Sequence, residues 1–190
     1  MLDVPSMLPS RNSRPPRVTG GLVLYLDYDG VLHHENVLWH PRRGAFPGPP
    51  GFTLFEHAPR LAALLAPYRE VQIVLSTSWV RLYGCYGAAK RLPESLRQRV
   101  VGSTFHSSMD ERVFSNKARG RQVLEDVARR RPLAWFALDD APDGWGEPAS
   151  PNIVLTDERL GISEPRTLDL VNWHLERLAK AQRSAGPALS

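Results

Sequence analysis

At 190 residues the chain has room for one domain with a sizeable core and is too short for two comfortable ones. Its 42% hydrophobic and 23% charged content is that of a globular protein, and no run approaches eighteen uncharged apolar residues, which excludes a membrane-spanning helix. The formal net charge of +4 is carried by 21 arginines against three lysines. That balance suits a phosphorylated or polyanionic partner, although GC-rich coding produces the same arginine- and proline-rich composition.

Residues 1–19 mix proline, serine and arginine without periodicity and read as a flexible arm; no apolar segment of a secretory signal follows the first charges. Residues 22–26, LVLYL, form a short continuous apolar run of the kind buried on both faces of a parallel sheet. Asp27 and Asp29 follow, and Gly30 breaks the extended pattern, so both carboxylates are expected where a strand gives way to a loop. Ligands of open α/β sheets bind at that end. Two carboxylates there repel unless something positive lies between them, and hard oxygen ligands favour magnesium.

The next stretch is rich in glycine and proline. Residues 37–39 and 52–55 are expected to be two short strands around a proline-rich turn, a flap over residues 33–56. His33, His34 and His40 lack helical ligand spacing and are read as solvent- or substrate-facing rather than as zinc ligands. An amphipathic helix is expected over 59–68, with Pro59 in its first turn. A second buried strand over 71–75 runs into Ser76, Thr77 and Ser78; a hydroxyl there can bond a phosphoryl oxygen, and Ser78 is placed to cap the next helix. Residues 81–99 read as interrupted helix. The lone Cys85 excludes an internal disulfide and a cysteine zinc cage, making a reduced, cytoplasmic setting the default. Residues 101–105 are expected to be a third strand. Ser115 and Asn116 then cap a helix over 117–130 with Lys117 in its first turn, where a cation opposes the dipole and so has another reason to be there. A fourth buried strand, 133–138, ends in Asp139 and Asp140, with Asp143 in the following loop; 152–157 gives a fifth strand, 166–179 a final helix and 183–190 a polar tail.

LYLDYDGVL, the apolar strand closed by Ser76 or Thr77, Lys117 at a helix start and the apolar strand closed by Asp139–Asp140 occur in one order. Together they resemble motifs I to IV of the haloacid dehalogenase-like (HAD) superfamily, mostly phosphatases and phosphotransferases. The resemblance covers roughly residues 22–157. It implies a Rossmann-like α/β fold, a mainly parallel five-stranded sheet with helices on both faces and a small β-hairpin flap in place of a cap domain. It further implies a single domain over 20–182 and a magnesium-dependent phosphohydrolase. Asp27 would be the nucleophile and Asp29 the general acid and base. Ser76, with Thr77 as the alternative, and Lys117 would bind phosphate; the Asp27 carboxylate, the Asp29 backbone carbonyl and Asp139, with Asp140 close by, would hold Mg2+. IVLSTSW and NIVLTDERLGIS are also similar to HAD domains of bacterial RNA-repair proteins, which makes a nucleic-acid end a candidate substrate. The competing classes are a non-catalytic nucleic-acid-binding module on the same scaffold and a protein phosphatase.

Overall fold

The computed structural model describes residues 16–146 and 151–186. Five parallel strands form one sheet in the order β5-β4-β1-β6-β7: β1 (Leu22–Leu26), β4 (Val71–Leu75), β5 (Val100–Ser103), β6 (Ala134–Asp139) and β7 (Ile153–Leu155). A separate antiparallel hairpin pairs β2 (Val37–His40) with β3 (Gly44–Pro47). The helices are α1 (Ala58–Leu65), α2 (Trp79–Ala89), α3 (Glu94–Arg97), α4 (Glu111–Ser115), α5 (Arg119–Arg130) and α6 (Pro165–Ser184). This is the expected HAD-type Rossmann-like architecture.

β1 is central because all five of its side chains are apolar, and all five are buried. Its alternate residues supply two cores. Leu22, Leu24 and Leu26 pack with Ile73, Leu75, Phe136 and Leu138 beneath α1, α2 and α6, while Val23 and Tyr25 pack with Val74, Ala137 and Val123 of α5. Truncating one such leucine to alanine costs about 2–5 kcal/mol through lost transfer energy and the cavity left behind. The pairings Leu26↔Leu75 and Leu26↔Leu138 bring the carboxyl ends of β1, β4 and β6 level. The residues that follow each strand therefore share one rim.

Several elements differ from expectation. The second flap strand is Gly44–Pro47, not 52–55. Gly44, at φ 73°, accepts the tight turn after His40, and the prolines at 47, 49 and 50, lacking an N–H, stop the ladder. Residues 52–55 instead turn back toward the sheet, with Phe55 at φ 61°. The helix expected from Lys117 begins at Arg119, because Ser115–Asn116 ends the short α4, whose start is capped by Asp110 accepting from the Val113 N–H at 3.0 Å. Gly120, close behind, must lack a Cβ because the backbone of Gly144 and Trp145 lies against it.

The expected N-terminal arm falls mostly outside the described residues, as does the end of the tail, 187–190. At the described edge of the arm the Val18 carbonyl accepts from Arg130 at 2.6 Å, and α6 runs through Ser184 into what reads as tail. Among the described residues no helix is long and apolar enough to cross a membrane.

Candidate active site

Three carboxylates meet on the shared rim. Asp27 follows β1, Asp139 ends β6 and Asp140 follows it; each offers an oxygen, and these oxygens lie within 4.8 Å of one another. Asp27 and Asp139 are fully buried. The Tyr28 N–H donates to Asp27 Oδ1 at 2.7 Å and the Ala141 N–H to Asp139 Oδ1 at 3.0 Å, while Asp139 Oδ2 accepts no hydrogen bond among the described residues. Gly30, at φ 67°, makes the convergence possible, since a Cβ there would collide with the Asp140 carboxylate.

A single cation faces this group among the described residues: Arg119, at the first turn of α5. Its Nη2 stands 3.1 Å from Asp27 Oδ2 and its Nε 3.5 Å from Asp139 Oδ2, and its Nη1 donates to the Ser76 carbonyl. The charges do not balance. Burial raises the Asp27 carboxyl above its usual range; Arg119 opposes that shift and nearby Asp29 adds to it. Burial, then the charge of Asp27, holds Asp139 well above the carboxylate range, and the same two causes push Asp140 up to about 6. Burial works against the charge of Arg119, but the surrounding aspartates outweigh it and hold the guanidinium charged. Three carboxylates with one guanidinium, and a buried oxygen that accepts no hydrogen bond among the described residues, make a donor set that fits a hard divalent cation.

The Asp29 carboxylate is not part of this group. Its Oδ1 accepts from Trp79 Nε1 at 2.9 Å and lies 3.0 Å from His33 Nε2, and Ser78 Oγ donates to its Oδ2 at 3.4 Å. Its carboxylate thus lies outside the three-carboxylate group, in keeping with an expectation that gives Asp29 only its backbone carbonyl as a metal ligand. Ser76 and Thr77 are both buried at the end of β4. Thr77 Oγ1 accepts from the Trp79 N–H at 3.3 Å and its hydroxyl also bonds Asp27, whereas Ser76 Oγ has no partner among the described residues. Ser78 thus makes no helix cap; its hydroxyl goes to Asp29.

Lys117 is the expected site residue that the structure does not bring to this cluster. Its Nζ pairs with Glu125 at 2.6 Å, because α5 starts two residues later than expected and that first turn belongs to Arg119. Asp143 is exposed and contributes its backbone carbonyl, which accepts from the Gly120 N–H at 3.0 Å. The histidines also differ from expectation. His33 and His34 are buried, His34 accepting from the Asn36 N–H at 3.0 Å, and only His40 is exposed. Arg119 and Trp79 are site residues not singled out from the sequence, and His33 is read there only as solvent- or substrate-facing. Arg119 left a trace, as a cation two positions from the expected one at the same helix start.

The NIVLTDERLGIS segment lies directly beneath the Asp29–Gly30 loop. Thr156 Oγ1 donates to the Gly30 carbonyl at 2.7 Å, the Ile162 N–H donates to the Val31 carbonyl at 3.0 Å, and Gly161 leaves room for Val31. Its residues therefore brace the loop that carries the aspartates.

Searches of curated proteins and of solved structures give no match. A family model does match, over residues 23–167, from the second residue of β1 to the first turn of α6. That span includes each of the aspartates, Arg119 and the segment under the loop, and HAD membership brings with it a phosphohydrolase type of chemistry. The chain belongs to the family of HAD domains found in Swiss Army Knife RNA repair proteins.

Proposed function

We propose that the protein is a phosphohydrolase acting on the terminal phosphate of a nucleic-acid strand. The reading rests on one observation: Asp27, Asp139, Asp140 and Arg119 converge on a buried rim with fewer positive than negative charges. Asp27, Asp139 and Asp140 are the residues that would hold a divalent cation, and magnesium is the ion typical of HAD proteins. Such a cation supplies Lewis-acid neutralisation of the phosphoryl oxygens.

Asp27 attacks phosphorus with a carboxylate oxygen, forming an aspartyl-phosphate as the ester P–O bond breaks. Asp29 gives its proton to the departing oxygen, then takes one from the water that hydrolyses the intermediate. Arg119 meets the charge on the equatorial oxygens, and the unpartnered Ser76 hydroxyl is free to donate to another. Lys117, paired with Glu125, takes no part in this scheme.

The substrate class is argued from the family and the flap. The hairpin presents Trp39, 57% exposed, together with exposed Arg42 and Arg43. An exposed indole beside guanidinium groups suits base stacking with a grip on the backbone. The test is phosphate release, with magnesium, from an aryl phosphate, from 3′- and 5′-phosphorylated oligonucleotides and from phosphopeptides. Wild-type protein should turn over the aryl phosphate and prefer an oligonucleotide, and Asp27→Asn should abolish both activities. Turnover by Asp27→Asn at the wild-type rate refutes the nucleophile. Preference for phosphopeptides refutes the substrate class, and salt-dependent oligonucleotide binding with no turnover points to a binding module.

A further inference from the structure

Asp29 carries more hydrogen-bond donors than a solvated acid needs. Its Oδ1 faces two of them, the Trp79 indole N–H at 2.9 Å and the His33 ring at 3.0 Å, although 27% of its side chain remains exposed. Both donors are nearly inaccessible: Trp79 is 3% and His33 1% exposed. The network assigns the His33 tautomer. The Phe55 N–H donates to Nδ1 at 3.3 Å, so the ring proton sits on Nε2 and points at Asp29.

The ring is also fixed by packing. The His33 and Phe55 rings stand 4.9 Å apart and those of His33 and Trp79 5.9 Å apart, while Phe55 packs on Trp79 at 5.3 Å and on Tyr28 at 5.1 Å. Phe55 closes the segment that returns from the hairpin, and it is one of two described non-glycine residues with positive φ. A bulky side chain does not adopt that backbone without surrounding contacts to hold it. Those contacts aim the Phe55 N–H at His33.

We propose that His33, braced by the Phe55 backbone, and the indole of Trp79 are positioning residues that aim the Asp29 carboxyl at the leaving oxygen. With Oδ1 tied by two N–H groups, Oδ2 is the oxygen left to carry the proton. Among the described residues it meets only the long contact from Ser78, at 3.4 Å. As the P–O bond breaks, that proton passes from Oδ2 to the ester oxygen and the alcohol departs neutral. The arrangement also connects the base of the flap to the acid through a single ring. The inference rests on the proposed hydrolase reading.

The test exploits leaving-group demand. Phosphoryl transfer from p-nitrophenyl phosphate needs little help from an acid, whereas an alkyl phosphate needs the proton, and general acids contribute about 10²–10⁴-fold. His33→Phe keeps an aromatic ring without the donor. It should lower kcat/KM for an alkyl phosphate about 100-fold while leaving p-nitrophenyl phosphate within about threefold. His33→Gln, which returns an N–H near Nε2, should recover at least about tenfold of the loss. Trp79→Phe removes the other donor and provides the same comparison should His33→Phe fail to fold. Equal losses on both esters, or no loss on either, overturn the proposal. The 15N-correlated indole resonance of Trp79, assigned through Trp79→Phe, should move in both His33→Phe and Asp29→Asn. If wild-type protein hydrolyses neither ester, the hydrolase reading fails on its own, and an unmoved indole resonance in those two variants then overturns the positioning role.

Discussion

Replacing Arg119 with methionine keeps most of the stem volume and deletes the charge between Asp27 and Asp139. At 3.1 and 3.5 Å, and with an effective dielectric of ~20, each contact is worth about 5 kcal/mol of gross attraction. Most of that is offset by taking Arg119, 20% exposed, and two buried carboxylates out of water. What remains is the cost of leaving buried carboxylates unpaired, about 3–5 kcal/mol when one partner of such a group is removed. Urea unfolding in EDTA should show a loss of about 3 kcal/mol for Arg119→Met, and millimolar magnesium should return a substantial part of it through preferential binding to the folded state. Lys117→Met removes only a partly exposed pair with Glu125 and should cost no more than about 1 kcal/mol. On phosphate release, Arg119→Met should fall by about 10²–10³ and Lys117→Met should stay near wild type. A larger effect at Lys117 than at Arg119, in either assay, refutes the assignment of Arg119.

Three further outcomes are expected. Gly30→Ala places a methyl against the Asp140 carboxylate on a backbone at φ 67°; it should cost about 1–3 kcal/mol in urea unfolding and abolish magnesium-stimulated phosphate release. His174 is buried, stacked on Phe136 at 4.9 Å, and its pKa is lowered by burial from 6.5 to about 4. The fold therefore favours the neutral ring: its contribution is fully present above pH 6.5 and is lost as pH falls toward 4. Allowing for screening, that loss is on the order of 2 kcal/mol, and parallel urea titrations at pH 7.5 and 4.5 should show it shrinking in His174→Phe. Replacing Arg42 and Arg43 together with alanine should reduce kcat/KM for a phosphorylated oligonucleotide about tenfold, leave p-nitrophenyl phosphate unchanged and flatten the salt dependence; equal effects on both substrates would remove the flap from substrate selection.

The strands that carry the site were legible because their apolar runs end abruptly. LVLYL into Asp27, VQIVL into Ser76 and the run into Asp139 each combine a two-face burial signal with a polar stop. The flap was harder. Residues 52–55 are as apolar as a strand, yet they are consumed by ring packing around His33 and Trp79, while the true partner, GAFP, has neither alternation nor β-branched residues. Lysine's rarity pointed to Lys117, and arginine's abundance hid Arg119 among 21 of its kind. Composition says nothing about which cation a helix start turns inward. That depended on the close approach of Gly120 to Gly144 and Trp145, a tertiary fact. The Asp29 donors were hidden for the same reason: nothing in the sequence joins Trp79, just past the second strand, to the loop histidine His33 until the fold brings them together.

The central position of β1 has a kinetic consequence. Leu22 pairs with Val71 on one side and with Ala134 on the other, so β1, the first of this sheet's strands in chain order, waits longest for its second neighbour. Both pairings are parallel and distant in sequence, the topology that closes slowly because loop entropy is lost before any contact is gained. Until β6 arrives, an all-apolar strand has an open edge, and this nascent chain is most exposed to aggregation in that interval. Asp27 leaves the ribosome more than a hundred residues before Asp139. The rim that concentrates the negative charge thus cannot form early, and the cost of bringing the carboxylates together falls on one of the last steps of folding.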